Sequence, residues 1–147
     1  MEAIQKAVTA YLQRATGVPT VAERTRVVDR YPLLAVAVNS EGTVLVDGGR
    51  QAEHSYRVTV TAAADRQREG NTALLGKVAA CLLRGVPMVL PTETGGRGPV
   101  RRVLHPLEVK TEGEALTFSV ELCVPVPPEE QGTVPEAELM GELELGL

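Results

Sequence analysis

The sequence is poor in aromatic residues, which make up 3% of the chain, with no Trp, one Phe and three Tyr. The core must therefore be built from Val, Leu, Ala and Ile. Proteins that bind single-stranded nucleic acid stack bases on aromatic rings, so this composition disfavours that function. The net charge of -4 adds no general attraction to phosphate backbones. We therefore predict no sequence-specific binding of nucleic acid.

Long apolar runs are also missing, since none approaches the ~20 residues that span a bilayer. The opening MEAIQKAV lacks the charged-then-apolar layout of a signal peptide. We therefore expect a cytosolic protein with no membrane partner. Cys81 and Cys123 are far apart in the sequence, and we predict that both are reduced, buried, small hydrophobic residues. A disulfide between them is the alternative, although no secretory context supports it.

Motifs for catalysis or metal binding are scarce. The only histidines are His54, expected to be solvated before a strand, and His105, expected to pack locally. No HxH, HxxxH or CxxC spacing offers the three or four ligands that a metal site needs. There is no GxSxG nucleophile motif, and the Gly-rich run at 95–98 lacks the ending of a phosphate-binding loop. We therefore expect no metal, no cofactor and no enzyme activity.

The sequence does contain two amphipathic helix patterns. Residues 2–16 carry apolar side chains at helical spacing, and Gly17 followed by Pro19 ends the pattern. A second, broader apolar stripe predicts a helix over Asn71–Arg84, with Asn71 as its N-cap. A chain of 147 residues is most simply one domain, and both helices are expected to pack on a sheet.

Two alternating patterns predict strands with one apolar face, at Tyr56–Ala62 and, most clearly, at Leu116–Val126. Val100–Lys110 is a further candidate. It contains Pro106, which cannot donate to a ladder, so it should be an edge strand or carry a bulge. Val86–Leu90 is a possible short strand.

The region between the first helix and Tyr56 is less regular. Thr20–Val28 suggests an exposed strand or arm, and the apolar run Leu33–Val38 suggests a strand buried on both faces. Asn39–Gly42 is a turn cluster, and the segments 39–55 and 91–99 are expected to be long Gly-rich loops. Together these patterns predict an α+β fold, a mainly antiparallel sheet with two helices packed on one face.

The boundaries that we predict are a single domain over residues 1–128 and an acidic C-terminal tail over 129–147. The alternating ELELGL at the end of the tail could instead add a strand to a neighbouring subunit. Basic side chains concentrate at Arg97, Arg101 and Arg102, and acidic counterparts follow at Glu129 and Glu130. A solvated edge is one interpretation of this charge pattern. The functional interpretation is a subunit interface formed by these five residues.

The order of elements resembles that of phage tail terminator proteins, also called tail-completion or minor tail proteins. The resemblance covers residues 1–126. It rests on the opening helix, on a strand like Tyr56–Val60 leading into a helix like Asn71–Arg84, and on a closing hairpin. That hairpin would pair Arg102–His105 with Leu116–Val120. The chain departs from the family pattern in its loop at 91–99 and in its acidic tail.

The resemblance implies a structural protein that ends tail-tube growth as a ring, of six subunits in the family, and joins the tail to the head. Its partners would be copies of itself, the tail-tube protein and a head-completion protein. It would reside in the host cytoplasm during assembly and then in the virion tail. Two other hypotheses stay open. One is a small ligand-binding or catalytic domain with a pocket between the sheet and the second helix, and the other is a bacterial housekeeping oligomer.

Overall fold

The computed structural model describes residues 2–22, 31–64, 69–90 and 100–126. Three segments named above lie wholly or partly outside these ranges: 23–28 of the expected arm, the Gly-rich loop at 91–99, and the acidic tail at 129–147. The chain divides into two compact units. The first comprises Met1–Glu41 and Ser55–Glu121, and the second comprises Gly42–His54 and Leu122–Leu147. The single domain over 1–128 stays a prediction.

The described residues form two α-helices and seven strands. In chain order they are α1 (Glu2–Thr16), β1 (Thr20–Ala22), β2 (Leu33–Val46), a short 3₁₀ turn (Asp47–Gly49), β3 (Gln51–Ala63), α2 (Asn71–Leu82), β4 (Val86–Leu90), β5 (Val100–Leu104), β6 (Leu107–Glu112) and β7 (Ala115–Pro125).

The strands form a five-stranded sheet in the order β1-β2-β3-β7-β6 and a separate ribbon of β4 and β5. The larger sheet is mixed, because β1 pairs with β2 in parallel, but most of its pairings are antiparallel. The predicted α+β class is therefore confirmed. The predicted bounds of α1 agree with the structure, and Val86–Leu90 is indeed a strand.

The first unit has a mainly aliphatic core, as the composition predicted, with two buried aromatic rings, those of Tyr56 and Phe118. Burial alternates along most of β3, and β7 places Phe118 in the core at 0% exposure. The helices add their apolar stripes, which for α1 are Ile4, Val8 and Leu12. The two helices also contact each other, and the Tyr11 hydroxyl donates to the carbonyl oxygen of Cys81 at 2.7 Å. This hydrogen bond links α1 to the last turn of α2.

The predictions between Leu33 and Tyr56 were partly wrong. Asn39–Gly42 is not a turn, because β2 continues through it to Val46. The segment 39–55 is accordingly not a long loop. Its reversal is confined to Asp47–Gly49, where all three residues have positive φ. Leu33–Val38 is buried at alternate positions rather than on both faces. One face of β2 is therefore buried in the core there, and the other is half-buried.

The closing hairpin was also assigned to the wrong partners. The candidate strand at 100–110 splits at His105–Pro106 into β5 and β6. β5 pairs with β4, from Val86↔Leu104 to Leu90↔Val100, so Arg102–His105 does not pair with β7. The antiparallel neighbour of β7 is β6. As Pro106 suggested, β6 is an edge strand, and its register shifts between Leu107 and Lys110.

Asn71 is not the N-cap of α2, a position that Gly70 occupies instead. The Asn71 side chain is buried and serves tertiary structure. Its Oδ1 accepts a hydrogen bond from the Ala64 backbone N–H at 2.7 Å, and its Nδ2 donates to Glu114 Oε1 at 3.4 Å. The amide thereby ties the start of α2 to the chain just after β3 and to the turn between β6 and β7.

Candidate functional site

A groove of about 650 Å³ lies in the first unit, between α1 and the β4–β5 ribbon. We call it the α1–ribbon groove. It is lined by Ala3, Lys6, Ala7, Ala10, Tyr11, Arg14, Pro87, Met88, Val89, Arg101, Arg102 and Val103. Apolar atoms therefore make up most of its surface, and all the charged side chains among these residues are basic.

The helix contributes a wall of small residues. Ala3, Ala7, Ala10 and Arg14 follow one another at steps of three or four, so they share one face of α1. Ile4, Val8 and Leu12 form the adjoining face that is buried in the core. Because alanine side chains are short, the helix leaves room beside the ribbon where larger residues would have closed it.

The ribbon contributes both apolar and charged side chains. In its antiparallel register Pro87 lies opposite Val103, and Val89 lies opposite Arg101. Val89 and Val103 are about half exposed, at 51% and 50%. Met88 and Arg102 form the cross-strand pair between these two, and Met88 is buried. Since side chains alternate along a strand, the first two pairs belong to one face of the ribbon and Met88 with Arg102 to the other.

Four cations line the groove: Lys6, Arg14, Arg101 and Arg102. The described residues that line it include no carboxylate. The guanidinium of Arg14 lies 5.9 Å from the centroid of the Tyr11 ring, at the outer limit of a cation–π contact. A surface that combines alanine and valine side chains with clustered positive charge suits a ligand that is both acidic and apolar.

Two of the five interface residues predicted from the sequence lie in this groove. Arg101 is exposed and Arg102 half-buried, both on β5. Arg97, Glu129 and Glu130 lie outside the described residues. Sequence reasoning missed Lys6 and Arg14, which the fold brings beside the two arginines from about 90 residues away. The alanine spacing that ends at Arg14 was the available signal.

The histidines and cysteines occur elsewhere. In the second unit His54 lies within β3, half-buried, with its Nδ1 2.8 Å from Thr43 Oγ1, so it does not precede a strand as expected. Cys123, also in this unit, donates its thiol to Gln51 Oε1 at 2.9 Å. Neither Cys81 nor Cys123 forms a disulfide, and both are half-buried rather than buried as predicted. His105 is exposed between β5 and β6. Within the described part of the chain, no three His, Cys, Asp or Glu side chains cluster as metal ligands would.

The clearest ion pair joins Arg57 of β3 to Glu41 of β2, with Arg57 Nε donating to Glu41 Oε2 at 2.9 Å. This hydrogen bond raises the pKa of the Arg57 guanidinium further above its usual value, so the residue is charged under all ordinary conditions. Burial raises the pKa of the Tyr56 hydroxyl, which is therefore neutral at physiological pH. Neither shift creates a group that titrates near neutrality.

Comparisons with known proteins leave the function open. No family model and no curated protein matches the chain. Seven solved chains match it. One, of unknown function, is 17% identical over 86% of this chain and 92% of its own length, with a TM-score of 0.35. Such a likeness is too weak to carry an argument. No helix in the described ranges has the length and apolar character needed to span a bilayer.

Proposed function

We propose that this chain is a structural subunit of a phage or prophage tail, which ends growth of the tail tube as a ring and joins the tail to the head. The order of elements supports this role, since a helix, paired strands, a second helix and further paired strands follow one another as in tail terminator proteins, although the closing hairpin consists of β6 and β7 and does not include Arg102–His105. The role is one of assembly rather than of catalysis. Its partners are other copies of the chain, the tail-tube protein and a head-completion protein.

The observation that carries the proposal is the number of large apolar side chains exposed on the strands. Val44 is 60% exposed, Leu45 54%, Val89 51%, Val103 50% and Leu107 41%. Such residues occur in the β2–β3 hairpin, in the ribbon and at the edge strand β6. Exposed apolar surface in several places is typical of a subunit that buries it against partners. A ring needs two different patches on each subunit, because its contacts are heterologous.

The basic groove supplies a second type of contact surface. Charged patches direct which partner face meets which, more than they add affinity. In the proposed assembly the α1–ribbon groove faces an acidic surface, and the half-exposed valines beside it lose contact with water. The family resemblance gives six as the number of subunits in the ring. The host cytoplasm during assembly, followed by the virion tail, is the proposed location.

Electron microscopy of the purified chain, alone and mixed with isolated tail tubes, tests the proposal. We expect rings, and rings seated at one end of the tubes. Changing Arg101 and Arg102 to Glu should weaken assembly, most strongly at low salt, while the circular dichroism spectrum stays that of the parent. Arg84→Glu is the matched control, because Arg84 is an exposed arginine outside the groove.

Each outcome has a clear meaning. If the double reversal assembles as well as the parent, the two arginines are not in the interface. If the chain is a strict monomer at high concentration and also leaves tail tubes uncapped, the tail-terminator proposal is wrong.

A further inference from the structure

We infer that the α1–ribbon groove binds the acidic C-terminal segment of a second copy of this chain. The inference rests on the self-association that the proposed function requires, and it identifies the two surfaces that meet. The segment is residues 129–147, which lie outside the described part of the structure.

The charges of the two surfaces are complementary. The groove presents Lys6, Arg14, Arg101 and Arg102 and, among the described residues that line it, no carboxylate. The segment 129–147 contains no Lys, Arg or His. Its charged residues are Glu129, Glu130, Glu136, Glu138, Glu142 and Glu144. The most acidic stretch of the chain is thus complementary in charge to a groove that basic residues of both α1 and β5 line.

The apolar surfaces also match. Between its cations the groove is lined by alanines of α1 and by Met88, Val89 and Val103 of the ribbon. At the end of the segment Glu142-Leu143-Glu144-Leu145 alternates acidic and apolar residues. In an extended backbone this alternation places the leucines on one side and the glutamates on the other. A segment of this kind can bury leucines against the alanines and valines while its carboxylates reach the basic side chains.

The orientation between copies follows from the ring. A head-to-tail contact needs one patch that donates a segment and a different patch that receives it, and each copy of this chain would carry both. The contact then propagates from subunit to subunit until the ring closes. An anionic surface of another macromolecule, such as nucleic acid, would satisfy the cations but would offer no leucines to the apolar lining.

A charge-exchange experiment with the full-length chain tests the inference. One variant reverses the groove (Lys6→Glu, Arg14→Glu and Arg101→Glu), and the other reverses the segment (Glu138→Lys, Glu142→Lys and Glu144→Lys). Circular dichroism first verifies that both retain the parent fold, and Arg84→Glu serves as the control reversal. Sedimentation velocity at low salt then measures the association of the parent, of each variant alone and of their equimolar mixture.

We expect the parent and the control to associate, each reversed variant alone to associate at least about tenfold more weakly, and the mixture to regain parent-like association. Restoration on mixing is expected because, in the mixture, each segment meets a groove of opposite charge on the other variant. The inference is overturned if the mixture is no better associated than the separate variants, if either variant associates like the parent, or if the parent is monomeric throughout.

Binding of labelled ligands then shows whether the groove binds the acidic segment or a different anionic partner. Fluorescence anisotropy with a labelled peptide of residues 129–147 should show binding to the segment-reversed chain, and a peptide with all glutamates changed to Gln should bind at least tenfold more weakly. A labelled oligonucleotide that binds in its place, and loses binding in the groove-reversed variant, would assign the groove to nucleic acid instead. If rings form equally well in all these charge variants, the proposed tail function stands and only the docking inference is wrong. If the segment binds the groove but the chain does not cap tail tubes, the docking inference stands and the proposed tail function is wrong.

Discussion

Leu82 and Leu83, adjacent in the sequence, show how strongly the environment of a residue governs its contribution to stability. Leu82 is 1% exposed in the core of the first unit, whereas Leu83 is 84% exposed at the end of α2. Deleting three side-chain carbons at Leu82 leaves a cavity that close-packed neighbours fill only in part. The same deletion at Leu83 removes a side chain that already contacts water.

We therefore expect Leu82→Ala to lower the free energy of unfolding by about 2–5 kcal/mol, the usual cost of emptying a core site. Leu83→Ala should change it by less than about 0.5 kcal/mol. Urea denaturation of the two variants beside the parent gives both values. Phe118→Ala, at a position with 0% exposure, should fall in the same range as Leu82→Ala. Similar midpoints for Leu82→Ala and Leu83→Ala would mean that α2 packs through a different face.

At the level of elements, the connection from α2 to β4 depends on a glycine. Gly85 has a φ of +84°, a backbone conformation that side chains disfavour. A Cβ atom at this position would lie 2.5 Å from Val103 Cγ1 and 3.3 Å from the Leu104 carbonyl oxygen. The absence of a side chain therefore lets the end of α2 pass close to β5 before the chain enters β4.

Gly85→Ala should accordingly destabilise the protein by at least about 1–2 kcal/mol, the cost of the left-handed conformation alone. Gly76 supplies the matched control, since it lies inside α2 with open space at its Cβ position and an ordinary φ. Gly76→Ala should stabilise the protein by about 0.5–1 kcal/mol, because alanine loses less backbone entropy in a helix. Differential scanning calorimetry should therefore show shifts of opposite sign. A shift of the same sign would contradict the local geometry at one of the two glycines.

The elements that the sequence predicted well are those with a strong period. Helix α1 and strand β7 each have one core-facing side and one less buried side, so their apolar residues recur at steps of 3.6 and 2. The stretch Asn39–Leu45 of β2 is exposed at every position, so it shows no period even though it is a strand. Its polar residues and Gly42 therefore resembled a turn. Its pairing with a neighbouring strand depends on tertiary structure, which a pattern in the sequence does not show.

The groove was predictable only in part, for a related reason. Arg101 and Arg102 are adjacent in the sequence and were recognised as a basic patch. Lys6 and Arg14 reach the same groove only because α1 packs against β4, a contact between elements about 75 residues apart. The pairing of β5 with β4, rather than with β7, was equally hidden, since both alternatives offer apolar partners. Which strands pair across such distances in the sequence depends on how the helices and strands pack around a core.

For the whole molecule, the exposed tip of β2 offers a test of assembly that does not depend on charge. Val44 and Leu45 are consecutive strand residues, so their side chains point to opposite sides, yet they are 60% and 54% exposed. Neither side of the strand is thus well covered at this point. A protein that functioned as a monomer would gain solubility from polar residues here, whereas a subunit can bury one or both side chains against a neighbour.

We expect Val44→Ser with Leu45→Ser to leave the free energy of unfolding within about 0.5 kcal/mol of the parent, because little apolar surface is buried there within one chain. The same double variant should associate at least about tenfold more weakly, and equally so at low and high salt, since the lost contact is apolar. Sedimentation velocity at two salt concentrations, beside thermal unfolding, measures both effects. Charge reversals in the groove should instead weaken association more at low salt than at high salt, because salt screens the interaction between charges. Parent-like association of the serine variant would exclude this hairpin from the interface, and a large loss of stability would show that the two side chains serve the fold of the single chain.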